Sequence, residues 1–293
     1  MALKKKVRST EMFVLTMKKY ADEYLINENS IIDLQNKSNH PIPYLYSEIF
    51  DSCLLKAKLK DGRIPPFFKI TDSPFYIASA QAIENNNYFN TYKCKYSLES
   101  FYQNFQPKNI VDWYQLKKVK NNKLKCIPPW SAVLPWRARS LESYGAAIIN
   151  ASEKEINQNI NNKKNVPGIY WNKCGPVTKE VVDNEVNRLE AVFYSISKNG
   201  YIRNNSNDGD ITANALVDEK NEWRWLVTGG YHRLCIYATL GCNEVTIRVN
   251  KVAIKTQSKF WPHVLDGLYT QKEALNIFNN IFKGEKSGND NER

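Results

Sequence analysis

The chain has little of what metal centres, disulfide scaffolds and membrane anchors need. Only three His occur in 293 residues, and the six Cys (Cys53, Cys94, Cys126, Cys174, Cys235 and Cys242) are scattered without a CxxC pair. This spacing excludes a structural zinc module and fits a reduced compartment better than a disulfide framework. No apolar run approaches the ~20 residues that a bilayer-crossing helix takes. The basic start, Met1 to Arg8, leads into no apolar signal core. No internal repeat is visible. The expectation is a soluble cytoplasmic protein with no membrane span and no metal ligands of its own.

Positive charge and aromatic rings are abundant. Lys and Arg number 41 against 30 Asp and Glu, a formal charge of +11, and there are 17 Tyr, 12 Phe and 7 Trp. Such a balance favours anionic partners. The Lys residues are dispersed among Asn, as on an ordinary solvated surface, so nucleic acid is a weaker expectation than nucleotide. A hydrophobic fraction of 42% is enough for a core, and the core is expected to be aromatic.

Residues 1–130 show short mixed elements broken by Pro41, Pro43, Pro65, Pro66, Pro128 and Pro129. Short helices are expected at Ser97–Phe105 and around Asp112–Leu116. His40 has no evident partner. Residues 127–145, rich in Pro and Trp, read as an extended connector whose Trp residues dock on a neighbour. Ser152–Lys164 is polar and Asn-rich and reads as a loop. Lys179–Lys198 reads as one helix, with Val186, Leu189, Val192, Phe193 and Ile196 on one face, stopped by Asn199-Gly200. Asp208-Gly209-Asp210 marks a turn, Ile211–Val217 a strand, Lys220-Asn221 a hairpin, and Trp223–Thr228 a buried strand. Cys235 is a core thiol in the helix that follows. Val245–Val249 alternates as another strand. Thr270-Gln271-Lys272-Glu273 is a capping box that opens a helix to about Phe282. The tail from Gly284 reads as polar and disordered.

The most informative stretch is Gly229-Gly230-Tyr231-His232-Arg233, set between the 223–228 strand and a helix that closes at Gly241. Two glycines let backbone approach a ligand, and a helix start offers free N–H groups and a positive dipole end. Arg233 adds a planar charged fork suited to phosphate oxygens. A plain tight turn is the bland alternative. His232 can donate to a phosphate or simply shape the turn. Tyr231 can stack on a ligand or pack.

This order of elements resembles the ParB/sulfiredoxin superfamily over residues 175–250. Sulfiredoxins carry Gly-Gly-Cys-His-Arg at the turn, and here Tyr231 stands where their nucleophilic Cys does. The resemblance therefore implies the fold without the sulfinic-acid reductase chemistry. In sulfiredoxins a Lys, a Ser and a Thr of the preceding helix also contact nucleotide. The matching positions are Arg188, Ala191 and Ser195, so the resemblance implies a nucleotide held by Arg188, Ser195, Gly229, Gly230, Tyr231, His232 and Arg233. ParB partition proteins use a Gly-Glu-Arg-Arg turn followed by a helix-turn-helix region, for which the residues after Val249 leave no room. Free-serine kinases use an Asp-Gly-His-His-Arg-like turn, and here Gly229 replaces the Asp.

The expected fold is α+β. Residues 1–130 form a mixed α/β region of unknown role and 131–169 a connector. Residues 170–283 form a ParB/sulfiredoxin-like nucleotide-binding domain with a C-terminal helix, and 284–293 a disordered tail. The expected activity is an ATP-dependent kinase acting on a small hydroxylated molecule such as a sugar, polyol or amino acid. Phosphoryl transfer needs positioning, positive charge on the phosphates and a group to take the acceptor proton. ATP or ADP with Mg²⁺ held between the phosphates is the implied cofactor. Glu185 is the leading base, and His232 is the other candidate catalytic residue. Glu185 precedes Arg188 by nearly one turn and shares its face. Glu190, Asp208 and Asp210 compete for the role, and a surface Glu185–Arg188 pair is the non-catalytic alternative. Trp261–Val264 and Gly267–Tyr269 either wall an acceptor pocket or bury a seam. A nucleotide-regulated binding or scaffold protein, possibly associated with nucleic acid, is the alternative function.

Overall fold

The computed structural model describes residues 31–47, 50–85, 88–160, 168–203 and 209–284. In chain order the elements are β1 (Ile31–Asp33), β2 (Ser52–Lys58), β3 (Gly62–Ile64), β4 (Phe68–Lys69), α1 (Pro74–Ala82), β5 (Ile83–Asn85), β6 (Tyr88–Phe89), α2 (Thr91–Asn104), α3 (Ile110–Trp113), α4 (Leu141–Asn159), α5 (Lys179–Asn199), β7 (Ile211–Val217), β8 (Trp223–Gly229), α6 (Tyr231–Thr239), β9 (Glu244–Ile254), α7 (Pro262–Leu265) and α8 (Gln271–Lys283). Seven strands form one mixed sheet in the order β1-β2-β9-β7-β8-β3-β4. The β7–β8 and β2–β9 pairs are antiparallel, and β7–β9, β3–β8 and β1–β2 are parallel. The fold is thus mixed α/β, compatible with the expected α+β class.

Both sheet faces are covered, and the strands alternate accordingly. Ala213, Ala215, Val217, Trp225 and Val227 point into a core shared with α1, α2, α5 and α6. Leu216 and Leu226 point into a second core with Trp113, Trp136, Trp261 and α8. The Trp261–Tyr269 segment belongs to this second core: Trp261 lies 5.3 Å from Trp136 and stacks on Phe278 at 5.7 Å, and Tyr269 Oη donates to Val133 O at 2.9 Å. It buries a seam, and none of residues 261–269 is among the described residues lining the cavity beside Tyr231.

Helix α5 has the expected apolar face, with Val186, Leu189, Phe193 and Ile196 buried and Gly200 at φ 70° ending it. The Thr270 capping box is present, with Thr270 Oγ1 accepting from Glu273 N and Glu273 accepting from Thr270 N. Cys235 is fully buried, and that burial pushes its thiol up to about 12.

Two expectations are corrected. Ser152–Asn159, read as loop, is the second half of α4, which also takes Leu141–Gly145 from the expected connector. Ser140 accepts from Ser143 N at 3.2 Å, and the Ala, Glu and Gln that follow favour helix without supplying an apolar stripe. Residues 161–164 lie outside the described residues, as do Asp208 and 285–293. His40, read as partnerless, joins the β7–β8 hairpin to the chain before β2. Its Nδ1 accepts from Ile42 N at 3.2 Å, which leaves the proton on Nε2 to donate to Asn221 O at 3.0 Å.

The C-terminus of α8 is held by a buried cation from β3. Arg63 Nε donates to Ile281 O at 3.0 Å and Nη2 to Phe282 O at 2.8 Å, while Nη1 reaches Lys60 O and Gly62 O. The last carbonyls of a helix lack intrahelical partners and carry its negative dipole end, so a guanidinium there satisfies both. Arg63→Met is expected to lower the unfolding free energy by about 2–4 kcal/mol in a urea titration. A loss within about 0.5 kcal/mol of zero would show that solvent satisfies these carbonyls equally well.

Candidate active site

The Gly-Gly turn sits where β8 ends and α6 begins. Gly230 is the N-cap, at φ 81° and ψ 26°, a left-handed conformation that L side chains rarely adopt. A Cβ on Gly230 would also come within 3.1 Å of Ile211 Cγ1. Gly230 brings no side chain to cap the helix, so the first-turn amides of α6 are open at this end of the sheet.

Successive residues of the first turn face opposite ways. His232 turns toward α5, and its Nε2 meets Glu185 Oε2 at 2.7 Å. Its ring lies 4.8 Å from that of Phe75 on α1. Tyr231 turns away, donating from Oη to Val227 O at 2.9 Å and accepting from Lys173 Nζ at 2.8 Å. Arg233 Nη2 reaches the backbone oxygen of Asp210 at 3.5 Å.

Glu185 is wholly buried, so it is no surface carboxylate. Its oxygens receive Tyr170 Oη–H, Asn172 Nδ2–H at 2.8 Å and His232 Nε2–H, with Arg188 Nη1 3.6 Å away. Burial pushes the Glu185 carboxyl up, but His232, Tyr170 and Arg188 outweigh it and hold the group below the usual carboxylate range. Burial first, and Glu185 next, push the Tyr170 phenol well up, so it stays a donor. An ionised Glu185 that accepts from Nε2–H fixes the His232 tautomer with Nδ1 as the basic nitrogen. Among the described residues Nδ1 has no hydrogen-bond partner. This is the logic of an orienting carboxylate behind a histidine base. Glu185, wholly buried and bonded to three donors, therefore positions His232.

The expected set is thus partly assembled. Glu185, Arg188 and His232 come together, and Gly229 and Gly230 shape the turn. Arg188 is committed to Glu155 as well as Glu185. Ser195 is exposed, 10 residues beyond Glu185 and hence ~15 Å along the helix, outside the site. Of the competing carboxylates, Asp210 is buried against Arg203, Nε to Oδ1 at 2.9 Å, and Glu190 is half-buried on α5. Tyr170, Asn172, Asn184 and Glu155 were not anticipated. Asn184 donates from Nδ2 toward both Tyr170 Oη and Glu155 Oε1, tying the group together. Neither the 168–175 segment nor the expected loop around Glu155 carries a local pattern that marks them.

Among the described residues no group of three or more His, Cys, Asp or Glu could hold a metal ion, and no helix is long and apolar enough to cross a membrane. No family model, curated protein or solved structure matches this chain.

Proposed function

We propose that the protein is a nucleotide-dependent phosphotransferase, a kinase for a small hydroxylated acceptor such as a sugar, polyol or amino acid, built on a ParB/sulfiredoxin-type domain around residues 170–255. The observation that carries this reading is the Glu185–His232 pair, 2.7 Å apart, which joins α5 to the first turn of the helix that Gly230 opens. The acceptor hydroxyl gives its proton to His232 Nδ1 as its oxygen attacks the γ-phosphorus of ATP. A new O–P bond forms, the bond from the γ-phosphorus to the β–γ bridging oxygen breaks, and ADP leaves with that electron pair. The first-turn amides of α6 and the Arg233 guanidinium take up phosphate charge. The substrate is ATP with Mg²⁺ carried on its own phosphates, since that cation needs few protein carboxylates. Mg²⁺ there neutralises phosphate charge, and Glu185 keeps the His232 ring in register for the proton transfer.

A second reading, a nucleotide-regulated binding protein without turnover, is favoured by one observation. Arg188, the phosphate contact that the family resemblance implies, is already neutralised by Glu155 and Glu185.

Thermal unfolding with ATP, ADP, CTP and GTP, with and without Mg²⁺, separates these readings. A nucleotide-selective rise in Tm, lost in Arg233→Ala, is expected. His232→Asn is expected to keep that rise and lose at least tenfold of acceptor-stimulated ADP release, in line with the ~10²–10⁴-fold worth of a general base. Binding with no turnover across sugars, polyols and amino acids would leave the second reading. No nucleotide effect on a folded sample would end both.

A further inference from the structure

On the opposite face of the sheet from Glu185 lies a cavity of about 200 Å³ that the proposed phosphoryl transfer does not use. Its floor is the end of β8 and the middle of β7, with Thr228, Tyr231 and Asn214 lining it. The segment before α5 serves both faces: Tyr170 and Asn172 go to Glu185, while Trp171 and Lys173 line the cavity.

The charge in this cavity has one sign. Arg137, Arg139 and Lys173 line it, and among the described residues its wall includes no Asp or Glu. Arg137 Nη1 donates to Asn214 Oδ1 at 3.2 Å, Arg139 Nε donates to Ser143 Oγ at 3.3 Å, and Lys173 Nζ donates to Tyr231 Oη at 2.8 Å. All three bonds are to neutral acceptors, and each cation keeps further N–H donors. Burial pulls the Lys173 ammonium below the usual lysine range. Arg137 and Lys173 are half-buried and Arg139 is exposed, so the cavity presents positive charge with no counter-charge among the described lining residues.

A second, independent sign of a ligand is Asn214. It is 0% exposed, in the middle of β7, and its Nδ2 has no partner among the described residues. The Arg137 bond settles the amide orientation, because a guanidinium only donates and so must face Oδ1. An unpaired buried N–H₂ is destabilising, so an acceptor belongs in front of it. The remaining wall is largely apolar and includes the rings of Trp113, Tyr144 and Trp171. The volume lies under the ~300–1,000 Å³ of ordinary small-molecule pockets, which limits the occupant to one ring and one charged group.

We propose that this cavity is a binding site for a small planar anion, an aromatic ring carrying one phosphomonoester or carboxylate, with Arg137, Arg139 and Lys173 on the anion, the Asn214 amide donating to it and Trp171 against the ring. Most of these residues lie outside 175–250, so the site belongs to this chain's own additions around the turn. It stands independently of the phosphotransferase reading.

Calorimetric titration of the full chain with phenyl phosphate, benzoate, benzyl alcohol and inorganic phosphate tests it. Either phenyl phosphate or benzoate is expected to bind at least tenfold more tightly than both benzyl alcohol, which lacks the charge, and inorganic phosphate, which lacks the ring. Phenyl phosphate ahead of benzoate identifies a phosphomonoester, and the reverse identifies a carboxylate. Arg139 is exposed at the mouth, so Arg139→Ala is expected to fold normally, to weaken binding at least fivefold and to leave any nucleotide-induced Tm shift in place. Lys173→Met is expected to weaken it further. Binding no tighter than about 1 mM for both aryl anions overturns the proposal. So does aryl-anion binding that is unchanged in a folded Arg139→Ala, Lys173→Met double variant.

Discussion

Glu185→Ala is expected to lower the unfolding free energy by about 3–5 kcal/mol, the usual cost of removing one partner from a buried ionic cluster. The carboxylate is the shared acceptor for Tyr170, Asn172 and His232, so its loss leaves several buried donors unpaired beside Arg188. Glu185→Gln keeps the volume and one acceptor oxygen and should cost less, about 1–3 kcal/mol. The pH dependence follows from the lowered carboxyl. Its contribution is full above the unfolded value, about 4.3, and is lost as pH falls through the folded value, where the neutral acid keeps its carbonyl acceptor but no charge for its donors. The gap between wild type and Glu185→Gln should therefore be widest near neutrality and close as the pH drops below about 4. Urea titrations at several pH values measure it. A gap that stays constant down to acid pH would mean that the fold derives no stability from the charge on Glu185.

What was legible in the sequence was local. Helix α5, the β7–β8 hairpin and the α8 capping box each announce themselves within a dozen residues, through period, turn residues or a cap. The Gly-Gly turn and the Glu185–Arg188 proximity were legible because a turn pattern and helix spacing fix them, whereas the Glu185–His232 contact between two helices was not. Helix α4 was not, because it buries little beyond Gly145 and Ser152 and so shows no apolar stripe. The partners of Glu185 from outside α5 were equally hidden. Tyr170 and Asn172 reach it from an irregular segment, and Glu155 reaches Arg188 from α4, contacts set by tertiary packing alone. Placing β2 beside β9 pairs residues as far apart in the chain as Cys53 and Val249, which no local signal encodes. The cavity was invisible for the same reason. Its cations come from residues 137, 139 and 173, and the acceptor-starved Asn214 reads in sequence as one more polar residue in a strand.

Gly175→Ala is the single-methyl change expected to do most damage, about 4 kcal/mol or more of stability. The reason is space. A Cβ at this position would overlap the carbonyl oxygen of Tyr102 and lie 2.7 Å from its carbonyl carbon. Both atoms are backbone, in the last turn of α2, so no rotamer change can relieve the overlap. The segment is also fastened there: Gly175 N donates to Phe105 O at 2.9 Å and Tyr102 Oη donates to Asn172 O at 3.0 Å. To admit the methyl group, residues 172–175 must lift off α2. Asn172 then leaves Glu185 on one face, and Lys173 leaves Tyr231 and the cavity on the other. A variant that still folds should therefore lose His232-dependent turnover and aryl-anion binding together, although Gly175 touches neither site. Urea denaturation gives the stability term, and calorimetry with phenyl phosphate and ADP-release assays on the folded fraction give the other two. A stable Gly175→Ala protein with both properties intact would mean that the segment can shift without moving Asn172 or Lys173, and the coupling between the two faces would fall with it.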